Sequence, residues 1–515
     1  MLLKGNVVMN KRTYSTSDIR RLELNSEYLG LPLQLLMENA GKAAADEIVS
    51  RFKTGSKIII FGGPGRNGGD GMVVARHLAA MDYDVTFNLV GKENDIKDNS
   101  TISNWNSIKS LSMSIKTNIF TDSSLLTSVK ANVVVDALLG TGVKGNLRQP
   151  ILRAVECINT SEGFKVSIDM PSGLDADTGQ ILGNYVNPDL IITFHGMKKG
   201  LSKFRNVVEI KVKKIGIPLE AELFAGPGDV ESINKNRPLE SHKGDFGKLL
   251  VVGGSETYSG APILVALAAL RAGVDLAYIA APEKTAYAIS STTPNLITIK
   301  LEGTHLNLNN MSQIRQFLEK VTALVIGPGL GLHPETKKAV REIVVAAEET
   351  GTPVLLDADG LKAFAEFQRP LRVPLVLTPH VGEFSILTGK ELSSTLEERV
   401  EKVKKTAAKL NGVILLKSSA DIVSDGERVK LNFTGNPGMT VGGTGDVLSG
   451  VVGAFLAQGA NPFEAAVAGA FVNGAAGDFV RSERGYHMMA TDLLDWIPRV
   501  IDDPMAHLRV RKGAP

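Results

Sequence analysis

Short β-branched runs separated by longer amphipathic stretches recur in two series along the chain, and this alternation most limits the folds open to it. The first series is KIIIF (57–61), DVTFNLV (84–90), NVVVDALL (132–139), FKVSIDM (164–170) and DLIITF (189–194). Such spacing calls for crossover helices and hence a parallel sheet. Ahead of it, Ser15, Thr16 and Ser17 offer N-caps for one long helical stretch, expected to reach about Phe52. Pro218, Pro227 and Pro238, with Gly226 and Gly228, then interrupt every periodic pattern. The alternation restarts with GKLLVVGG (247–254), a helical stretch over 261–272, TALVIGPG (322–329), PVLLDADG (353–360), VPLVLTPH (373–380) and GVILLK (412–417). Two α/β domains are expected, 1–222 and a larger 223–515, in keeping with about 150 residues per domain.

Charge and cysteine usage narrow the chemistry. Lysine and arginine (57) nearly balance aspartate and glutamate (55), so there is no electrostatic case for nucleic acid or a membrane surface as partner. No apolar run approaches the roughly 18 residues that span a bilayer; the run 261–270 ends at Arg271. The segment MLLKGNVVMNKR does not read as a secretory signal, and Met9 is an alternative start to Met1. One cysteine, Cys157, can form neither an internal disulfide nor a multi-cysteine zinc site. A cytoplasmic protein is expected, whose metals, if any, take oxygen ligands. The end HLRVRKGAP is expected to be a solvated tail. Glycine is in excess: 52 residues, about 10% against an average near 7%.

Many of those glycines fall where strands end. Strand 57–61 runs into GGPGRNGGDG (62–71) and then a helical pattern. A glycine-rich turn at a helix N-terminus presents backbone N–H groups to an anion, although a plain tight turn explains it equally well. VDALLGTGVKGNL (135–147) and SIDMPSGLDADTG (167–179) also end strands in loops. Three such loops would gather at the carboxyl edge of one sheet, where open α/β folds bind ligands. That would bring Asn67, Asp70, Asp136, Asp169 and Ser172 close together. Asp175 and Asp177 read as helix caps or Asx turns.

These loops resemble the YjeF N-terminal domain, the NAD(P)H-hydrate epimerase, in G-x-N-G-G-D-G, V-D-A-x-x-G-T-G and D-x-P-S-G-x-D. The resemblance implies a Rossmann-like α/β sandwich that interconverts the C6 epimers of hydrated NADH and NADPH (NADHX and NADPHX). It implies K+ at Asn67, Asp136 and Ser172, and hydrate binding by Arg66, Asn67, Gly68, Gly69 and Asp70, by Gly140, Thr141, Gly142, Val143, Lys144, Gly145 and Asn146, and by Asp169. Asp169 would be the catalytic acid/base. The family usually carries asparagine where this chain has Arg66, whose guanidinium could reach a substrate phosphate.

The sharpest signal in the second half is NPGMTVGGTGDVLSG (436–450), ahead of an apolar helix. The N–H groups of Gly443, Thr444 and Gly445 would sit at the helix N-terminus and stabilise a transferring phosphoryl group. Asp446 in the same turn could take the proton of an attacking hydroxyl. A capped buried helix with small residues for close packing would also explain the glycines, but not the polar loops at 327 and 378. His380 reads as a loop residue or a ligand contact, and Lys417 as solvated or meeting nucleotide phosphates. Asp357 and Asp359 could bind magnesium but are expected to cap the next helix.

S-H-K-G-x-x-G-K, Y-S-G-A, G-P-G-L-G, T-P-H-x-G-E and G-G-T-G-D-V-L, in that order, resemble the YjeF C-terminal domain, a ribokinase-like ADP-dependent NAD(P)H-hydrate dehydratase. By this resemblance Ala261, Gly329, His380 and Asp446 contact the hydrate, while Lys417, Ser418, Ser419, Ala420, Asp421 and Gly445 contact the nucleotide. Asp446 would be catalytic, ADP the co-substrate and Mg2+ required, and a homo-oligomer is expected. The alternative is a ribokinase-like small-molecule kinase with an N-terminal nucleotide-binding or regulatory module.

Overall fold

The computed structural model describes residues 13–392 and 394–511. Met1, Met9 and the last four residues of the expected tail lie outside the described residues. The chain divides into two compact units between Pro218 and Leu219.

In the first unit two helices, α1 (Thr16–Tyr28) and α2 (Leu33–Val49), precede β1 (Lys57–Gly62), α3 (Arg66–Ala79), β2 (Asp84–Val90), α4 (Asn99–Ser110), β3 (Ile115–Phe120), β4 (Lys130–Ala137), α5 (Ile151–Thr160), β5 (Glu162–Ile168), β6 (Leu190–Phe194) and β7 (Glu209–Lys213). The single helix expected over 15–52 is therefore broken. Gly30 takes φ +93, and Pro32 holds an extended backbone before α2. Ser15 does cap α1, in a reciprocal box with Asp18, and Asp177 accepts the Thr16 N–H at 2.8 Å. Asp175 closes an Asx turn onto the N–H groups of Asp177 and Thr178.

All strand pairs in this sheet are parallel, in the order β3-β2-β1-β4-β5-β6-β7. The order reverses between β1 and β4, so a ligand crevice opens at their carboxyl ends. Ile58 and Ile60 of β1 bury one face against Met72 and Leu78 of α3, and Ile59 and Phe61 bury the other against Val155 and Ile158 of α5. Edge strands β3 and β7 lay outside the sequence reading. Each is half exposed and carries lysines, so neither shows the continuous apolar run of a central strand.

The second unit holds β8 (Lys248–Val252), α6 (Gly260–Arg271), β9 (Leu276–Pro282), β10 (Ile297–Leu301), β11 (Ala323–Ile326), β12 (Val354–Leu356), α7 (Ala358–Ala365), β13 (Leu375–Leu377), α8 (Val381–Thr388), β14 (Val413–Leu416), β15 (Asp421–Ser424), β16 (Val429–Asn432), α9 (Thr444–Ala457) and α10 (Pro462–Arg484), with further short helices between them. Its nine strands run β10-β9-β8-β11-β12-β13-β14-β15-β16, parallel up to β14 and antiparallel beyond it. Strands β9, β10, β15 and β16 add to those expected.

Helix α9 is buried from Val447 to Ala457 and crosses α6 closely. A Cβ on Gly450 would stand 2.2 Å from the Val265 carbonyl oxygen, so part of the glycine excess serves packing. The expected solvated tail is corrected at His507. It lies on the short helical segment Pro504–Arg509, is 1% exposed, and pairs with Asp478 of α10 at 3.0 Å. Asp478 is itself buried and holds the Gly435 N–H and the Asn436 amide, so the histidine completes a polar cluster that would be costly to leave unsatisfied. Because the Val265 backbone cannot retreat without moving α6, Gly450→Val is expected to destabilise the second unit by about 2 kcal/mol, read as a lower denaturant midpoint.

Candidate functional site

In the first unit the loops after β1, β4 and β5 meet. Asp136, at the end of β4, is fully buried. Its carboxylate accepts the Ser172 hydroxyl at 2.5 Å, the Ser172 N–H at 2.8 Å and the Ser167 hydroxyl at 2.8 Å. Burial pushes this carboxyl above its ordinary range, and the serine hydrogen bonds pull it part of the way back. Asn67, in the first turn of α3, donates its amide to the Leu139 carbonyl at 2.9 Å. Its Oδ1 is buried with no hydrogen-bond partner. An orphaned amide oxygen beside a desolvated carboxylate and a serine hydroxyl is a donor set suited to a hard or alkali cation.

A second cluster lines a neighbouring cavity, walled by Leu36, Met37, Ala40, Phe194 and Ile215, with Glu23, Arg66, Asp70, Asp98, Asp169, His195 and Lys198 as its polar groups. Asp169 follows β5 with φ +63, a strained backbone that aims its side chain into the cavity. The Lys198 ammonium, 1% exposed, donates to Asp169, to the Thr193 hydroxyl at 3.0 Å and to the Phe194 carbonyl at 3.0 Å. Arg66 bridges Asp98 at 3.0 Å and Glu23 at 3.2 Å. Asp70 makes no such pair. Burial, then the charges of Asp169 and Glu23, push its carboxyl well above the ordinary range.

Other positions in this set have different roles. A Cβ on Gly68 would stand 1.8 Å from the Gly63 carbonyl oxygen, so packing alone demands that glycine, while one on Gly69 would meet the end of the Met37 side chain at 2.7 Å. Gly140 lies against Asn67. Thr141, Gly142, Val143, Lys144, Gly145 and Asn146 are absent from the wall of the cavity. Lys198 and Glu23 escaped the sequence reading. Both lie on segments without a glycine-loop signal, and they reach the cavity only through the fold.

In the second unit the carboxyl edge gathers five elements. Gly443 takes φ +98 and starts α9, which places Asp446 in its first turn. Lys417 follows β14 beside His380, which follows β13. The ammonium of Lys417 pairs with Asp357 at 2.9 Å and lies 3.3 Å from where a Cβ on Gly445 would stand. Asp357 sits at the N-cap position of α7 but makes no capping bond, correcting the expected role; its carboxylate takes Lys417 and, at 2.6 Å, the Ser449 hydroxyl. Asp359 instead accepts the Gly331 N–H at 2.9 Å and so ties down the loop after β11. Gly329 in that loop, φ +71, stands close to Tyr258 and Ala261.

Burial pushes the Asp446 carboxyl up to about 7, reinforced by Asp357 and Glu383 and opposed by Lys417. Burial works against the charge on Lys417, but Asp357, Glu383 and Asp446 outweigh it and hold the ammonium above its ordinary value. His380 Nδ1 accepts the N–H groups of Gly382 and Glu383, which leaves the proton of the neutral ring on the exposed Nε2. The turn 417–421 is closed by Asp421, whose carboxylate accepts the Ser418 N–H and the Asn432 amide at 3.0 Å each. Burial raises that carboxyl to about 6.

Two family models match the chain. One, described as YjeF-related protein N-terminus, covers residues 33–200; the other, described as NAD(P)H-hydrate dehydratase, covers residues 249–499. A bifunctional NAD(P)H-hydrate repair enzyme of Pyrobaculum aerophilum is 46% identical, over 93% of this chain and 95% of its own. One of Hyperthermus butylicus is 43% identical, over 96% of this chain and 93% of its own. A solved structure of a hypothetical protein from Streptococcus mutans shares the fold over 55% of this chain and 100% of its own, at 24% identity and a TM-score of 0.50.

The Asp446 geometry generates a direct test. With Asp357→Asn one neighbouring negative charge is lost, so the Asp446 titration, followed by carboxyl NMR, should move below its midpoint of about 7.

Proposed function

The chain belongs to the family of bifunctional NAD(P)H-hydrate repair enzymes, and from that premise we propose how its residues divide the work. It is an enzyme with epimerase and nucleotide-dependent dehydratase activities. We assign residues 1–222 to the epimerisation of R and S hydrates. Residues 223–515 dehydrate the S form with ADP, giving AMP and phosphate.

The observation that carries the dehydratase assignment is Asp446, a carboxylate raised to about 7 in the first turn of α9, beside Lys417. Hydroxide at C6 of the hydrate is a poor leaving group. Asp446 takes the C6 hydroxyl proton as the oxygen attacks the β-phosphorus of ADP. The N–H groups at 443–445 and the Lys417 ammonium stabilise the charge that spreads over the transferring phosphoryl group. His380 Nε2 donates to the hydrate, which packs against Gly329 and Ala261, close neighbours at the same sheet edge. The ring nitrogen's lone pair then expels phosphate, and loss of a C5 proton restores the dihydronicotinamide. Mg2+ would be held by the nucleotide phosphates with Asp446 and Asp357 at hand, and supplies neutralisation of phosphate charge.

In the first unit, K+ would be held by Asn67 Oδ1, Asp136 and Ser172, where it offsets a buried carboxylate and fixes the loops around the cavity. Asp169 acts as acid/base on the hydrate, which enters beside Arg66 and Asp70. No helix among the described residues is long and apolar enough to cross a membrane, and Cys157 is a buried free thiol. A cytoplasmic setting and a homo-oligomer belong to this proposal, the latter supported by Val212, exposed on the edge strand β7, and by Val207, exposed in the turn before it.

Mixed R and S NADHX incubated with ADP or ATP should regain the absorbance of reduced nicotinamide while releasing inorganic phosphate. A stable phosphate ester in its place would mark a kinase. Asp446→Asn is expected to lower dehydration about 100- to 10,000-fold. Asp169→Asn should abolish epimerisation and leave dehydration of the S form untouched.

A further inference from the structure

Epimerisation at C6 poses a stereochemical demand that one acid/base cannot meet from a fixed position. The hydroxyl must leave from one face of the ring and return to the other. A group that protonates the departing oxygen on the first face is badly placed to deprotonate the water arriving on the second. The cavity of the first unit is lined by carboxylates carried on different elements. Asp70 is carried by α3, which follows β1, and Asp169 follows β5. Strand β4 lies between β1 and β5 in the sheet, so the two carboxylates approach the one cavity from elements on either side of that strand.

Their surroundings differ. Asp169 is tied to the buried Lys198, and Glu23 and Asp98 are tied to Arg66. Among the described residues, Asp70 is the carboxylate of this cavity to which no lysine or arginine is bonded. It faces the negative charges of Glu23 from α1 and Asp169, with His195 and Lys198 entering after β6. Burial and like charge in that position favour the protonated form of Asp70.

We propose that Asp70 is the second proton-transfer residue of the epimerisation, acting on the face of the ring opposite Asp169; this rests on the epimerase reading above. Asp70 gives its proton to the C6 hydroxyl, the C6–O bond breaks, and water departs as the ring nitrogen's lone pair forms the C6–N double bond. A water on the far face adds its oxygen to C6, the electron pair returns to nitrogen, and Asp169 takes the proton released. The opposite epimer runs with the two roles exchanged, and proton exchange with solvent resets the pair between turnovers in one direction. The surrounding carboxylates stabilise the cationic intermediate.

R-to-S interconversion would be followed by chiral chromatography in the full-length protein, across pH and in water enriched in 18O. Asp70→Asn should slow it at least about 100-fold with KM little changed. It should also remove one limb of the bell-shaped pH profile. The wild type should take one solvent oxygen into the hydrate for each inversion, a readout that does not depend on how well either variant folds. Asp70→Asn with the wild-type rate and both limbs would overturn the proposal, as would inversion without solvent oxygen. A wild type that leaves the epimers unchanged would overturn the epimerase reading along with it.

Discussion

A buried ammonium must find an anion, and in each unit of this protein that requirement organises the site. Lys198 is spent on Asp169 and Lys417 on Asp357. An unpaired charge in either place would cost several kcal/mol, so the lysine, its aspartate and the strand ends that carry them are held together. Each pair leaves another aspartate close by with its carboxyl raised by burial and like charge: Asp70 in the first unit, Asp446 in the second.

Both units put these pairs at the carboxyl edge of a parallel sheet because strand exits there face helix N-termini. In the proposed dehydratase site, backbone N–H groups at 443–445 would supply anion stabilisation without a basic surface. The near-equal counts of cationic and anionic residues fit this economy. Arg66 adds to it: engaged by Glu23 and Asp98, it closes one side of the cavity and is not a freely mobile cation.

The parts of this structure legible in the sequence were those with local signals. Buried central strands read as apolar runs, and their exits as glycine-rich loops, which is how Asn67, Asp136, Ser172 and Asp446 stood out. Edge strands such as β7 did not read, since EIKVK alternates charge with half-buried apolar residues. The break between α1 and α2 was missed because helical composition outweighed Gly30 and Pro32. Lys198 and Asp357 were opaque for another reason. Their partners lie 29 and 60 residues away, and no periodicity carries a pairing that only the sheet order creates. The glycines marked local geometry without telling its purpose: Gly68 and Gly450 answer to a neighbouring carbonyl, Gly445 to the space beside Lys417.

The two proposed reactions both draw on a carboxyl raised by burial. In the proposed phosphoryl transfer the base must be ionised often enough to act and basic enough to take a hydroxyl proton, which a carboxyl near 7 satisfies and an ordinary one does not. Lys417 limits how far burial, Asp357 and Glu383 can raise it. In the first unit Asp70 is raised by burial and by the charges of Asp169 and Glu23, while Asp169 is bonded to the Lys198 ammonium. Each site therefore holds one carboxyl bonded to a buried lysine and a second that burial and like charge raise and the same lysine pulls down: Asp357 and Asp446 at Lys417, Asp169 and Asp70 at Lys198.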